Sequence, residues 1–315
     1  MSPDSNETSP VKAGATRKES LMAYFRNNSD NKPLTGKVYV VKDSSISIKV
    51  NGLGPNKKPL FIKAIPPGIV DIEHKPSSNP KIVQLEQTIR ITGKALGTAS
   101  LSGYTDAQNS SAQPECTSSN NPAGCISPLI VEVMPYIELS MNNTEEDAIA
   151  HMLLAESIGP GRKNFKEEES LKAMQWMRIV LENRLAFSHP QLLQVPPGAT
   201  SLLQLIKGRR VIEGFENYPN IGKTQKTTID GVVKEANNGG HPLFLQFRSH
   251  VQNAIDVAQG KKAGTDPCPT KLYAWVTAGT SSPSSNFVKY VTLAGQDFYT
   301  LTREFLNDPL QRKKK

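Results

Sequence analysis

The stretch Asp147-Ala-Ile-Ala-His-Met-Leu-Leu-Ala-Glu156-Ser-Ile-Gly-Pro-Gly161 decides how the chain is read. As a helix it sets Ile149, Met152, Leu153 and Glu156 on one stripe, at the i, i+3, i+4, i+7 spacing of a buried face. Three of these positions are apolar and the fourth is an acid. A carboxylate closing an apolar stripe is costly to ionise, so its pKa is expected to rise. A general acid working near neutral pH needs that property. Gly159-Pro160-Gly161 is expected to stop the helix and leave Glu156 on its last turn, at the lip of a cleft.

Upstream, Asn143-Thr144-Glu-Glu-Asp147 provides an N-cap and first-turn acids. Downstream, a second helix is predicted from about Lys166 to Ala186. Its apolar face is Leu171, Met174, Leu181 and Leu185, with Trp176 and Met177 flanking. Glu167-Glu-Glu169 sits at its start, where the helix dipole favours negative charge. Further helices are predicted over Ser201 to Lys207, Thr227 to Asn237 and Pro242 to Gln259. Residues 266–285 are read as a Pro/Gly/Ser/Thr loop carrying Leu272-Tyr-Ala-Trp275. The half after Met141 is therefore expected to be mostly α, with long aromatic-bearing loops.

The preceding hundred residues read differently. Val38-Tyr-Val-Val41, Ile46 to Val50, Leu60 to Ala64, Ile89 to Gly93, Ala99 to Gly103 and Leu129 to Val133 alternate or cluster β-branched residues. Turn residues separate them, the pattern of a β-sandwich. Residues 1–34 are rich in Ser, Asn, Asp, Lys and Pro and are expected to be a disordered tail, save one helical turn at Ser20 to Phe25. The division is thus a tail over 1–34, a β-sandwich over 35–141 and a mainly α domain over 142–315.

The whole chain has 315 residues, 37% hydrophobic, with a net charge of +8. A basic balance suits an acidic partner: nucleic acid, a membrane surface or an anionic wall polymer. The Lys and Arg are scattered apart from Lys313-Lys314-Lys315, and no aromatic-basic platform accompanies them, which argues against nucleic acid. No run of about 18 apolar residues suggests a transmembrane segment, and the N-terminus lacks the apolar core of a signal peptide. Cys116 and Cys125 bracket a short polar loop that a disulfide would close, implying an oxidising compartment. Cys268 is left over. Dispersed histidines and the lack of a Cys-x-x-Cys motif offer no metal set, and no cofactor is expected.

Two patterns resemble known families. Ile89-Arg-Ile-Thr-Gly-Lys-Ala-Leu-Gly-Thr-Ala-Ser-Leu-Ser-Gly, with Ile130-Val-Glu-Val-Met-Pro, resembles bacterial immunoglobulin-like modules. In the second half, Ala155-Glu156-Ser-Ile-Gly159, then Ile179-Val-Leu-Glu-Asn183-Arg184-Leu185, then Gly295-Gln-Asp-Phe298-Tyr299, resembles cell-wall hydrolases of the spore-cortex-lytic type, in the lysozyme-like group. The Glu156-Ser157 pair is also similar to the Glu-Ser signature of lytic transglycosylases. The chain departs from the family's middle-loop Gln-Phe, having Val211-Ile212 followed by Glu213-Gly-Phe215.

The resemblance implies cleavage of peptidoglycan glycan strands, as a muramidase or lytic transglycosylase, with Glu156 as the acid. A transglycosylase would need no second carboxylate. A hydrolase would need one, and Glu213, Glu216 and Asp230 are candidates. Tyr218, Tyr273, Trp275 and Tyr299 are candidates to stack on sugars, Phe298 is read as core, and Asn183 and Ser157 are candidate hydrogen-bonders. Two alternatives stand: a non-catalytic wall-binding or scaffold protein, and an amidase or peptidase, for which Cys268 with His241 or His250 is the available pairing. With peptidoglycan as substrate and no signal peptide, the expectation is synthesis in the cytoplasm and export as an antibacterial effector. Its partners would be a secretion-apparatus component and a cognate immunity protein.

Overall fold

A computed structural model describes residues 24–51, 61–75, 86–104 and 126–310. Cys116 and Cys125, and so the expected disulfide, lie outside these residues, as does most of the expected tail. The described residues fall into two compact units. One lies within Met1–Val38 and Ile46–Glu132, the other within Tyr39–Ser45 and Val133–Lys315. Among the described residues there are eleven strands in three sheets and six α-helices, so the chain is a mixed α and β protein. None of these helices is long and apolar enough to cross a membrane.

The period-two stretches form strands. These are β1 (Tyr24–Asn27), β2 (Lys37–Val41), β3 (Ser45–Asn51), β4 (Phe61–Ile65), β5 (Val70–Lys75), β6 (Glu86–Gly93), β7 (Gly97–Tyr104) and β8 (Leu129–Met134). They make two four-stranded sheets, ordered β1-β3-β6-β5 and β2-β8-β7-β4. The alternation that a half-covered sheet requires is clearest in β3, β6 and β8. In β6, Ile89 and Ile91 are inaccessible while Arg90 between them is exposed; in β8, Leu129, Val131 and Val133 form the inner row. Two readings need correction. Tyr24 and Phe25 open a strand rather than closing a helical turn, with Phe25 paired to Val50. The strand β5 was not foreseen, because only Val70 of Val70-Asp-Ile-Glu-His-Lys75 is fully buried.

The second unit is built on α1 (Glu145–Glu156). Its start is dictated locally: Thr144 Oγ1 accepts from Asp147 N at 3.2 Å, and Glu145, Glu146 and Asp147 occupy the first turn. The expected one-sided stripe is incomplete. Every residue from Ala148 to Leu154 is buried, so α1 is enclosed on all sides. The one polar member, His151, is satisfied by the Asp147 carbonyl at 2.7 Å and the Tyr218 hydroxyl at 3.3 Å. The shell around α1 includes α2 (Glu167–Leu185), α3 (Leu202–Ile206), α4 (Lys223–Ala236) and α5 (Phe244–Ala258), with α6 (Arg303–Asn307) near the C-terminus. Met174, Met177, Val180 and Leu181 of α2 are inaccessible, each stabilising the fold by about 1.5–3 kcal/mol.

The reading of 266–285 as a loop also needs correction. Ala274–Thr277 is a strand, β9, and with β10 (Phe287–Leu293) and β11 (Gln296–Leu301) it forms an antiparallel sheet ordered β10-β11-β9. Trp275 lies opposite Phe298 in that register. Phe298 points into the core, where its ring meets Trp176 edge-on at 5.2 Å.

Candidate active site

Glu156 is the last residue of α1. Ser157 leaves the helix in an extended conformation, its N–H still bonded to the Leu153 carbonyl at 3.0 Å, so the helix stops before Gly159. The half-buried carboxylate thus sits at the negative end of a helix with no basic residue in its last turn. Burial is the main cause that raises its pKa; a hydrogen bond from Trp275 opposes the rise, and the Glu213 carboxylate adds to it.

Three contacts fix the residues around Glu156. The Gln296 side-chain amide at the start of β11 donates to the Glu156 carbonyl at 2.8 Å. The Ser170 hydroxyl donates to the Ile158 carbonyl at 3.0 Å. His250 of α5 lies between the two serines, with Nδ1 at 3.4 Å from Ser170 and Nε2 at 3.5 Å from Ser157. Since Ser170 spends its proton on Ile158, this network assigns the proton of His250 to Nδ1 and makes Nε2 the acceptor. Burial pushes the His250 pKa down to about 4, so the ring is neutral near pH 7.

Glu156 opens into a cavity of about 630 Å³. Glu213, Trp275, Tyr273, Arg184 and Arg210 share its wall. Trp275, half-buried on β9, donates its indole N–H to Glu156 Oε2 at 3.4 Å. Glu213 is exposed on the turn after α3. The cavity therefore holds one half-buried carboxyl group with a raised pKa and one that is exposed to water.

The structure gathers only some of the expected site residues. Glu156, Glu213, Tyr273 and Trp275 line one cavity, whereas Ser157, Asn183, Glu216, Tyr218 and Tyr299 are not on its wall. Tyr218 is 1% exposed, stacked on Phe215, and Tyr299 is 4% exposed, so neither ring presents a face to a sugar. Burial raises the pKa of Tyr218. Asn183 Nδ2 donates to Asp266 Oδ2 at 2.7 Å and the Leu272 carbonyl at 2.9 Å, clipping the segment that leads into β9. Asp230 pairs with Lys226 at 2.6 Å on exposed α4. Cys268 is buried with its Sγ 3.3 Å from the Thr270 hydroxyl, while His241 Nδ1 accepts from Leu243 N. Neither His241 nor His250 is hydrogen-bonded to Cys268. Among the described residues no three His, Cys, Asp or Glu side chains cluster as metal ligands.

Arg210 and Gln296 were not foreseen. Gln296 had one signal, its place inside the Gly295-Gln-Asp-Phe-Tyr motif. Arg210 had none beyond lying three residues before Glu213.

No family model matches the chain. No curated protein matches it either. Among solved structures, it is similar to domains 4 and 5 of the S-layer protein SbsC, at 13% identity over 42% of this chain and 89% of that one. The TM-score is 0.21, too low to argue fold or function from.

Proposed function

We propose that the chain cleaves peptidoglycan glycan strands by hydrolysis, with Glu156 as general acid and Glu213 as the second carboxylate. The observation that carries the proposal is the pairing of a carboxyl whose pKa is raised by burial with one exposed to water in one open cavity. That division of environments is how two like groups take opposite roles. Protonated Glu156 gives its proton to the glycosidic oxygen, and the leaving sugar departs as an alcohol. Water adds its hydroxyl to the anomeric carbon, and its other proton passes to Glu213. Trp275 holds the Glu156 carboxyl and offers a face to a sugar ring; Tyr273, buried and packed edge-on against Phe187, supports the wall from behind.

The resemblance of the Glu156, Asn183-Arg184 and Phe298-Tyr299 motifs to lysozyme-like wall hydrolases supports peptidoglycan as the polymer. On this reading the second unit is a lysozyme-like catalytic domain and the first an immunoglobulin-like module that docks on the wall. The protein would act after export to the periplasm or wall, as an antibacterial effector met by an immunity protein.

Mass spectrometry of muropeptides tests the reaction. Purified peptidoglycan treated with the wild type should yield glycan fragments with reducing ends carrying oxygen from labelled water. Glu156→Gln should release roughly 10²–10⁴-fold less. Anhydro-sugar ends would replace hydrolysis by transglycosylation and remove Glu213 from the mechanism; cut stem peptides would refute glycan cleavage.

A further inference from the structure

The cavity that holds Glu156 also holds two guanidiniums with no acidic partner. Arg184, half-buried at the end of α2, directs Nε at 2.9 Å, and Nη2 as well, to one neutral acceptor, the carbonyl of Leu193. Its Nη1 makes no hydrogen bond and its guanidinium no ion pair among the described residues, and burial pushes its pKa down to about 10. Arg210 is exposed on the same wall and forms neither hydrogen bond nor ion pair among the described residues. Its backbone is left-handed, with φ 64°. Non-glycine residues persist in that conformation where the surroundings impose it, and such positions cluster at ligand clamps.

Arg184 and Arg210 share one wall with Glu156 and Glu213. A desolvated cation bonded only to a neutral carbonyl favours an anion, and the planar guanidinium matches a carboxylate.

We propose that Arg184 and Arg210 form a carboxylate subsite that reads an acidic substituent of the glycan while the sugar backbone lies at Glu156 and Trp275. This rests on the glycan-cleaving reading for its choice of ligand. Two carboxylates fit: the lactyl group of a peptide-free muramyl sugar, and the acidic side groups of a stem peptide. A subsite of this kind makes the enzyme select decorated wall glycan over neutral aminosugar polymers.

The test measures binding in the full chain carrying Glu156→Gln, so that strands are not consumed. The probes are peptide-free glycan strands with their lactyl carboxylates free or capped as methylamides, and stem-bearing strands with stem carboxylates free or capped. The parent should bind the free form of one pair roughly tenfold more tightly than its capped form, as one charge-assisted contact allows; the pair that shows the preference identifies the source. Adding Arg210→Ala, an exposed change that spares the fold, should abolish most of that preference and leave capped strands unaffected. Arg184→Gln should act likewise, with circular dichroism checking its fold. No preference in the parent, no binding of either form, or equal loss on free and capped strands would overturn the subsite. The glycan-cleaving reading stands or falls separately, on fragments released by the wild type.

Discussion

The indole N–H of Trp275 donates to Glu156 Oε2 at 3.4 Å, so a strand of the C-terminal sheet holds the acid at the end of the central helix. Hydrogen bonding to a carboxylate favours the charged form. Trp275 therefore limits the rise that burial imposes on Glu156. Trp275→Phe should raise the pKa of Glu156, moving the alkaline limb of the pH–rate profile upward while kcat falls. An unmoved limb would show that the bond does not act on the reacting carboxyl.

The raised pKa has a consequence for stability. The folded chain keeps the Glu156 proton at pH values where the unfolded chain has released it. Stability is therefore lost as pH rises from the unfolded value of about 4.3 through the folded one. Glu156→Gln removes this loss. Urea titration should find the variant at least as stable as the wild type at pH 7, with the advantage gone at pH 4 and below.

His250 works in the opposite direction. Its folded pKa is lowered to about 4, so between there and about 6.5 the unfolded chain binds a proton that the native ring refuses. Stability should fall as pH drops through that window, by up to about 1.4 kcal/mol per pH unit from this group. His250→Gln should flatten the dependence, at the cost of lower stability at pH 7, because Ser157 and Ser170 lose a matched partner. Parallel pH dependences in the two proteins would contradict the assignment.

Gly295 turns β10 into β11 at φ 72°, and a Cβ there would stand 2.7 Å from Ile158 Cδ1, two residues from Glu156. Gly295→Ala should destabilise the fold by about 1–3 kcal/mol through its backbone alone. It should also lower activity by displacing Ile158. Adding Ile158→Val should recover part of the activity but little of the stability, since it relieves the contact and not the left-handed backbone. Thermal unfolding and turnover of the two variants check this.

Local signals were the legible ones. Thr144 and the three acids after it mark the start of α1 because capping acts within one turn. Ile89 and Ile91 mark β6 because a half-covered strand alternates. What escaped depends on partners distant in sequence. Trp275 belongs to a strand because it pairs with Phe298, while its flanks are rich in turn residues. Tyr218 reads as a loop aromatic until His151 and Phe215 are brought against it. Glu213 could not be chosen over Glu216 or Asp230, because all three are acids in polar stretches and only the fold brings one to Glu156. Arg210 gave no sign, since a guanidinium without a partner is visible only once its surroundings are assembled.

On the proposed reading, Glu156 and Glu213 divide the work of acid and base. The most direct measurement is the pH dependence of kcat/KM for glycan cleavage in the wild type, Glu156→Gln and Glu213→Gln. The wild type should lose activity along an alkaline limb set by Glu156. Glu156→Gln should lose activity by roughly 10²–10⁴-fold. Glu213→Gln should also slow cleavage, and should move the alkaline limb downward because a charge that raises the Glu156 pKa is gone. An unchanged profile in Glu213→Gln, or undiminished cleavage by a folded Glu156→Gln, would contradict this division of roles.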